Sequence, residues 1–380
     1  MPGIWFYSLC FLLSVALAAA PAQGTLASTP PPWGEASAPS PWGMGAAPER
    51  SHEIQLRNND YVTAPDPLLL QAASIAKVIV RVFSDDEKKG GLYFTNSMFK
   101  TVRPVLDDWA PKFSGGKIGL WAWMGGRYFS WFHDSRYLDR EWRNGQRRVI
   151  PRLDLFNPDA EQIIVDLFKQ LAQKPIQGIL IQDDLVLRRN EGFSNWGKAY
   201  FTRATGLSAN ERLMLQKGSA HYQAWERVKC ERVTQLLEKI VQICKAVNPQ
   251  IKIAMNIHYE TPLSPDQARS WYAYDLPALA SGSLDYLYLM GYHRQIKSEL
   301  GLNAADNRLY FQKMVAAALK DFGPKLVVKL QVRDWLSSEL IPIVELQSYY
   351  DLIPVAVDRV CFAAVDPDDI PHISQIINEK

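Results

Sequence analysis

The sequence predicts an α/β chain folded as a (β/α)8 TIM-type barrel with a long insertion after strand four. Three observations carry this. Eight short apolar runs rich in β-branched residues recur from residue 76 to 365, separated by helical patterns, which is the signature of a parallel sheet covered by helices. Eight such repeats fit a closed barrel better than an open doubly wound sheet. No glycine-rich phosphate loop follows the first run "AKVIVRVF" (76–83), which argues against a dinucleotide fold.

The runs, in order, are "AKVIVRVF" (76–83), "GKIGLWAWM" (116–124), "RRVIPRLDLF" (147–156), "IQGILIQDD" (176–184), "IKIAMNIHY" (251–259), "LDYLYLMGY" (284–292), "KLVVKLQVRDW" (325–335) and "VDRVCFAAV" (357–365). Pro151 weakens the third. Helices are expected over 157–174, with Asn157 as N-cap and Pro158 in the first turn, over 221–249, and over 306–323 before Gly323. The pattern at 337–353 is less regular because Pro342 interrupts it. About 65 residues separate strands four and five, too many for an ordinary βα loop, so an insertion over the C-terminal face is expected.

Ahead of the barrel the chain reads differently. Residues 1–22 are apolar and end at the small-residue site Ala20-Pro21-Ala22, the pattern of a signal peptide. No Lys or Arg occurs in residues 1–34, so the terminal amine alone would supply the positive end. The chain is expected to be exported, periplasmic or extracellular, and membrane-tethered where the signal stays uncleaved. Residues 23–65 are rich in Pro, Ser, Gly and Ala without periodicity and read as a disordered tether. Residues 66–380 are then the barrel.

Composition narrows the partners. A net charge of +2 gives no electrostatic case for nucleic acid. Cys230 and Cys244 lie 14 residues apart in one helical pattern, about 21 Å along a continuous helix, too far to pair. With no Cys/His ligand spacing, neither metal nor cofactor is expected. The 12 Trp and 16 Tyr exceed what a core needs and suit a groove that stacks flat rings such as sugars.

Barrel enzymes place their chemistry at the C-terminal ends of strands. Those ends supply Trp121 and Trp123, Asp154, Gln182, Asp183 and Asp184, Asn256, His258 and Glu260, Tyr292, and Arg333 and Trp335. Carboxylates, amides and aromatics together describe a glycosidase cleft, in which an acid protonates the leaving oxygen and rings stack on sugar. Plainer readings stand beside some of them. Asp366, Asp368 and Asp369 precede a last helix and read as caps, Asp85, Asp86 and Glu87 as a solvated turn, and Trp121 and Trp123 as core. Two adjacent carboxylates closing a core strand resist such a reading, since one helix cap needs one Asp. Strand alternation puts Leu180, Gln182 and Asp184 on one face. Asp184 is therefore the expected general acid, with Asp183 as its neighbour at the rim, and the second catalytic function falls to Glu260, to Asp183 or to a group of the substrate itself.

The stretch "GILIQDDLVL" (178–187), together with "LYFTN" (92–96), "WAWM" (121–124), "PRLDLF" (151–156), "KIAMNI" (252–257), "LQVRDW" (330–335) and "VDPDD" (365–369), resembles in order the C-terminal glycoside-hydrolase domain of the PgaB family, the poly-β-1,6-N-acetyl-D-glucosamine deacetylases of biofilm exopolysaccharide export. The resemblance spans about residues 70–375. It implies a barrel that cleaves partially deacetylated poly-N-acetylglucosamine as an endo-β-hexosaminidase, with the acidic pair at Asp183 and Asp184 and a cleft aromatic at Trp123. It also implies a polysaccharide substrate of N-acetylglucosamine and glucosamine, and the export machinery as partner. This chain has Gln182 where the family carries His before the pair, and Gln cannot titrate. No deacetylase domain is visible. The rival reading is a non-catalytic polysaccharide-binding protein built on the same groove.

Overall fold

The computed structural model describes residues 50–57 and 63–378. The expected signal peptide and residues 23–49 and 58–62 of the expected tether lie outside the described residues.

Eight parallel strands close into a barrel in the order β1-β10-β9-β8-β7-β6-β3-β2. They are β1 (Ser51–Leu56), β2 (Ile75–Arg81), β3 (Gly119–Met124), β6 (Gly178–Ile181), β7 (Lys252–Ile257), β8 (Tyr286–Met290), β9 (Leu326–Gln331) and β10 (Arg359–Val365). The other two, β4 (Leu138–Arg143) and β5 (Gln146–Leu153), form an antiparallel hairpin outside the barrel.

Two expectations are corrected. The barrel begins at Ser51, inside the stretch read as tether, because β1 pairs with both β10 and β2. Its sequence SHEIQL does not look like a core strand, since Glu53 and Gln55 are polar, yet both are buried. Glu53 is neutralised inside the lumen. Lys77 Nζ donates to its Oε1 at 2.6 Å, and the Tyr288 hydroxyl donates to its Oε2 at 2.5 Å. The third expected strand, 147–156, is not a barrel strand. Its first part is β5, turned back on β4 through Asn144 and Gly145, both at positive φ (51° and 77°). Asn-Gly is the turn pair that two-residue hairpins require. With one strand gained and one lost, Gly178–Ile181 is still the fourth barrel strand.

The helices follow their caps. Pro158–Ala172 starts at Asn157, whose side chain accepts from the Asp159 N–H. Ala220–Val247 carries both Cys230 and Cys244 on one continuous helix, and both thiols are buried and unpaired. Ala304–Phe322 ends at Gly323, φ 52°. Within the expected 337–353 pattern only Ile343–Tyr350 is helical. The insertion after β6 holds two short helices, Asn195–Thr205 and Glu211–Leu215, ahead of Ala220–Val247. It is stitched to the hairpin by Trp142 N–H to Asn190 O (2.8 Å) and Phe193 N–H to Arg140 O (2.9 Å). No helix among the described residues is long and apolar enough to cross a membrane.

Ile79, Trp121, Leu180, Ala254, Tyr288, Val327 and Cys361 fill the lumen. Alternate residues of the same strands face outward into the layer shared with the helices. Gly178 is required here: a Cβ would stand 2.3 Å from the Trp121 ring.

Candidate active site

The regular part of β6 stops at Ile181. Gln182 still donates its N–H to Met124 O at 2.8 Å, and the chain then turns at Asp183 and Asp184. The turn decides where the two carboxylates go. Asp184 swings toward the loop after β3 and accepts three backbone N–H bonds, from Gly126 at 2.6 Å, Arg127 at 2.9 Å and Tyr128 at 2.6 Å. Residue 126 must be glycine for this, since a Cβ would sit 3.0 Å from Asp184 Oδ1 and 2.6 Å from Leu185 Cβ. Burial pushes the Asp184 carboxyl up, and the three N–H donors pull it the other way. Both its oxygens are committed as acceptors. The alternation that assigned the acid role to Asp184 holds only while the strand is regular, and the strand ends three residues earlier.

Asp183 is half-buried and no described residue donates a hydrogen bond to its carboxylate. It lies two residues past the C-terminal end of β6, at the mouth of the barrel. Around it stand the other strand ends. Trp123 is half-buried, edge-on to Phe83 at 6.0 Å, with the Arg81 guanidinium 5.3 Å from its ring and its Nε1–H unpartnered. Tyr292 packs edge-on to Trp335 at 5.3 Å. Asn256 accepts from Lys329 Nζ at 2.9 Å. His258 stacks on Tyr272 at 3.9 Å, and the Tyr272 hydroxyl donates to Glu260 Oε1 at 3.1 Å. Burial raises the Glu260 carboxyl, and its Oε2 has no partner. The Gln182 side-chain Oε1, His258 Nε2 and the Tyr274 hydroxyl are likewise buried without partners.

Three expected substrate contacts are engaged within the protein. Trp121 lies in the lumen, 3% exposed, with Lys77 Nζ 3.8 Å from its ring centroid, and packs the barrel. Asp154 is buried and accepts from the Phe156 N–H at 3.0 Å, because its segment left the barrel with the hairpin. Arg333 clamps Asp369 through two bonds of 2.7 and 2.6 Å and meets Asp366 at 3.1 Å. Asp366 and Asp369 themselves form a capping box.

A cluster of charge beneath the site was not expected. Arg127 is fully buried and donates to Leu153 O (2.9 Å), Val186 O (2.6 Å), Asp139 Oδ2 (2.7 Å) and Glu191 Oε2 (3.2 Å). It thus binds the loop after β3, the hairpin and the insertion to one another, directly behind the Asp184 turn. A separate cleft of about 710 Å³ lies beside the mouth, lined by His293, Arg294, Asp334, Asn307, Glu345 and Tyr349 among others. Within it Arg294 bridges Glu345 and Asp334. Among the described residues, no three His, Cys, Asp or Glu side chains stand together as a metal-ion site.

If Trp123 lines the groove, Trp123→Ala weakens polymer binding by about 1–3 kcal/mol, the scale for a large stacked or buried side chain, while the melting temperature stays near that of the parent. Calorimetry with polymer fragments and a thermal melt measure the two effects. A melting loss without a separable binding loss would make Trp123 a packing residue only.

Acidic and aromatic side chains at the C-terminal mouth of a barrel suit a glycoside hydrolase, and the family model places the chain in that class. The chain belongs to hypothetical glycosyl hydrolase family 13, whose profile matches residues 69–356. Among solved structures, the PgaB (BpsB) glycoside hydrolase domain from Bordetella bronchiseptica superposes with a TM-score of 0.71 at 20% identity, covering 88% of this chain and all of that domain. A β-galactosidase from the psychrophilic Marinomonas ef1 gives 0.61 at 10% identity, over 87% of this chain and 59% of the galactosidase. A β-galactosidase from Halorubrum lacusprofundi gives 0.59 at 10% identity, over 87% and 58%. At these identities the likeness is one of fold. No curated protein matches the sequence.

Proposed function

We propose that this protein is an exported glycoside hydrolase that cleaves partially deacetylated poly-β-1,6-N-acetylglucosamine or a closely related exopolysaccharide, as an endo-acting hexosaminidase working beside the export machinery. The observation that carries the catalytic reading is the pair at the end of β6, with Asp184 held by three backbone N–H groups and Asp183 left open to the mouth. Family membership supports the reaction class. The ordered strand-end resemblance supports the polymer, and the apolar segment at residues 4–20 supports export.

Glycoside hydrolysis needs one proton donor and one negative charge near the anomeric carbon. Asp183 supplies the negative charge. Glu260 supplies the proton: burial holds its carboxyl up, Tyr272 fixes Oε1, and Oε2 is free of protein partners. The anomeric C–O bond breaks, the Glu260 proton goes to the leaving oxygen, water adds its hydroxyl to the anomeric carbon, and the proton left from that water restores Glu260. Asp184 positions the loop under Asp183 and does not touch the sugar.

Incubation of the purified protein with partially deacetylated polymer, followed by mass spectrometry, tests this. Oligosaccharides are expected from the parent protein and not from Asp183→Asn. Polymer bound by the parent and never shortened would leave a binding protein in which Gln182 marks the lost activity. Cleavage of another polysaccharide in preference would keep the site and replace the substrate.

A further inference from the structure

The cleft beside the mouth is walled by His293–Leu300, the start of Ala304–Phe322, Ile343–Tyr350 and the segment 334–336 after β9. Two of its lining residues carry a buried polar atom with no partner in the protein. His293 and Asn307 are each 1% exposed, and the atoms are His293 Nδ1 and Asn307 Oδ1. Their other polar atoms are committed. His293 Nε2 lies 3.0 Å from Glu345 Oε1, and Asn307 Nδ2 donates to His293 O at 3.0 Å and to the Tyr349 hydroxyl at 2.7 Å.

The tautomer of His293 follows. Arg294 donates to Glu345 at 2.8 and 2.6 Å and holds its carboxyl down to about 2. Glu345 is thus an ionised acceptor, and Nε2 carries the proton. Burial keeps the imidazole below its usual range, so it is neutral at pH 7 and Nδ1 offers a lone pair. The wall holds two acceptors that no protein donor meets, and a buried acceptor is stabilised by any group that brings it a proton donor.

Charge narrows the ligand. The cations of the lining are Arg294, Lys297 and Arg308, and its anions are Asp334 and Glu345. Arg294 spans both anions. The surplus is positive, with Lys297 exposed and Arg308 donating to Ser348 O at 3.2 Å. Lone pairs in the wall and N–H donors at the rim suit hydroxyls, which donate and accept at once. A protonated amine would meet like charge. Position adds to this. Tyr292 and Trp335, packed edge-on at 5.3 Å, immediately precede His293 and stand between Asp334 and Leu336. A sugar chain crossing those two rings reaches the cleft next.

We infer that this cleft is a second saccharide site, outside the groove of the acidic pair, which takes an uncharged N-acetylated hexosamine residue in preference to a deacetylated, protonated one. The choice of sugar rests on the polymer proposed above.

The test is calorimetry at pH 7 with β-1,6-linked trisaccharides of N-acetylglucosamine and of glucosamine, on the whole chain carrying Asp183→Asn to stop turnover. The acetylated trisaccharide is expected to give two binding events. Ser298→Trp, which fills the cleft from an exposed lining position, removes one of them, and Trp123→Ala weakens the other. Lys297→Glu reverses the surplus charge and gives the glucosamine trisaccharide an event in the cleft that it otherwise lacks. Thermal melts check that both cleft variants fold. Nitrogen NMR of labelled histidine reads the site without a cleft variant: the His293 Nδ1 resonance, assigned by its loss in His293→Gln, moves upfield when the acetylated ligand donates to it. Binding untouched by Ser298→Trp, an unmoved Nδ1 resonance, or equal binding of the two trisaccharides in the cleft overturns the inference. Polymer that is never cleaved, while both binding events persist, overturns the hydrolase reading and leaves the cleft in place.

Discussion

Asp183→Asn lowers kcat by roughly 100- to 10,000-fold, the range over which a positioned carboxyl acts in catalysis, and leaves polymer affinity within a few-fold of the parent. The amide keeps the volume and loses the negative charge, so binding survives and the charge opposite the anomeric carbon does not. Asp184→Asn behaves differently. An amide retains one acceptor oxygen and brings two N–H donors to face three others. The loop after β3 is then repelled, and activity and thermal stability fall together. Reducing-end assays for kcat and KM, run beside thermal melts, separate the two patterns. Full activity in the Asp183 variant with selective loss of kcat in a stable Asp184 variant would exchange the two roles.

Arg127→Met costs about 3–5 kcal/mol of folding stability, the usual effect of breaking a buried ion cluster by removing one partner. The methionine fills most of the space but leaves Asp139 and Glu191 buried without the guanidinium, and two carbonyls without their donor. Burial already raises the Asp139 carboxyl against the pull of Arg127. Without Arg127 it rises further, so the folded variant holds protons that the unfolded chain releases. Stability of the variant therefore falls as pH rises through the range between the unfolded and folded values. The deficit against the parent is largest at neutral and higher pH and shrinks in acid. Urea titrations at several pH values measure this as a drop in midpoint at constant slope. A variant as stable as the parent at pH 8 would show that the cluster is incidental.

What the sequence made legible, and what it hid, follows from how each signal arises. The end of β6 stood out because the apolar run Ile179–Ile181 passes through Gln182 into two acids, and no ordinary turn needs both. Strand β1 was hidden because its inward positions are Glu53 and Gln55. A lumen that answers a carboxylate with Lys77 and Tyr288 lets a core strand read as polar chain. The hairpin was hidden the other way: Val149, Ile150 and Leu153 look like barrel core, while the Asn144-Gly145 turn that contradicts them lies just upstream. Asp154 was displaced by that one error. Trp121 and Trp123 show a limit of alternation, which fixes the face of a strand but not the depth in the barrel. Arg333 shows another, since its partners Asp366 and Asp369 arrive from the far end of the chain. Lys329 was in plain view as a charge inside "LVVKLQ"; the signal was the interruption of a buried run, as it was for Asp183 and Asp184.

The pairing of β1 with β10 has a consequence for how the molecule comes into being. Ser51 is registered against Arg359, so the contact that closes the barrel joins the first strand to the last. A ribosome must deliver nearly the whole domain before closure can occur, and contacts of such sequence separation form slowly. Until then β1 and β9 each present an unpaired edge, the kind of template on which nascent chains aggregate. Under the export proposed above, the chain would have the opposite need, to stay unfolded until it has crossed. A barrel whose last strand locks its first meets that need by construction, with a long unfolded interval during synthesis and a single closing event after release.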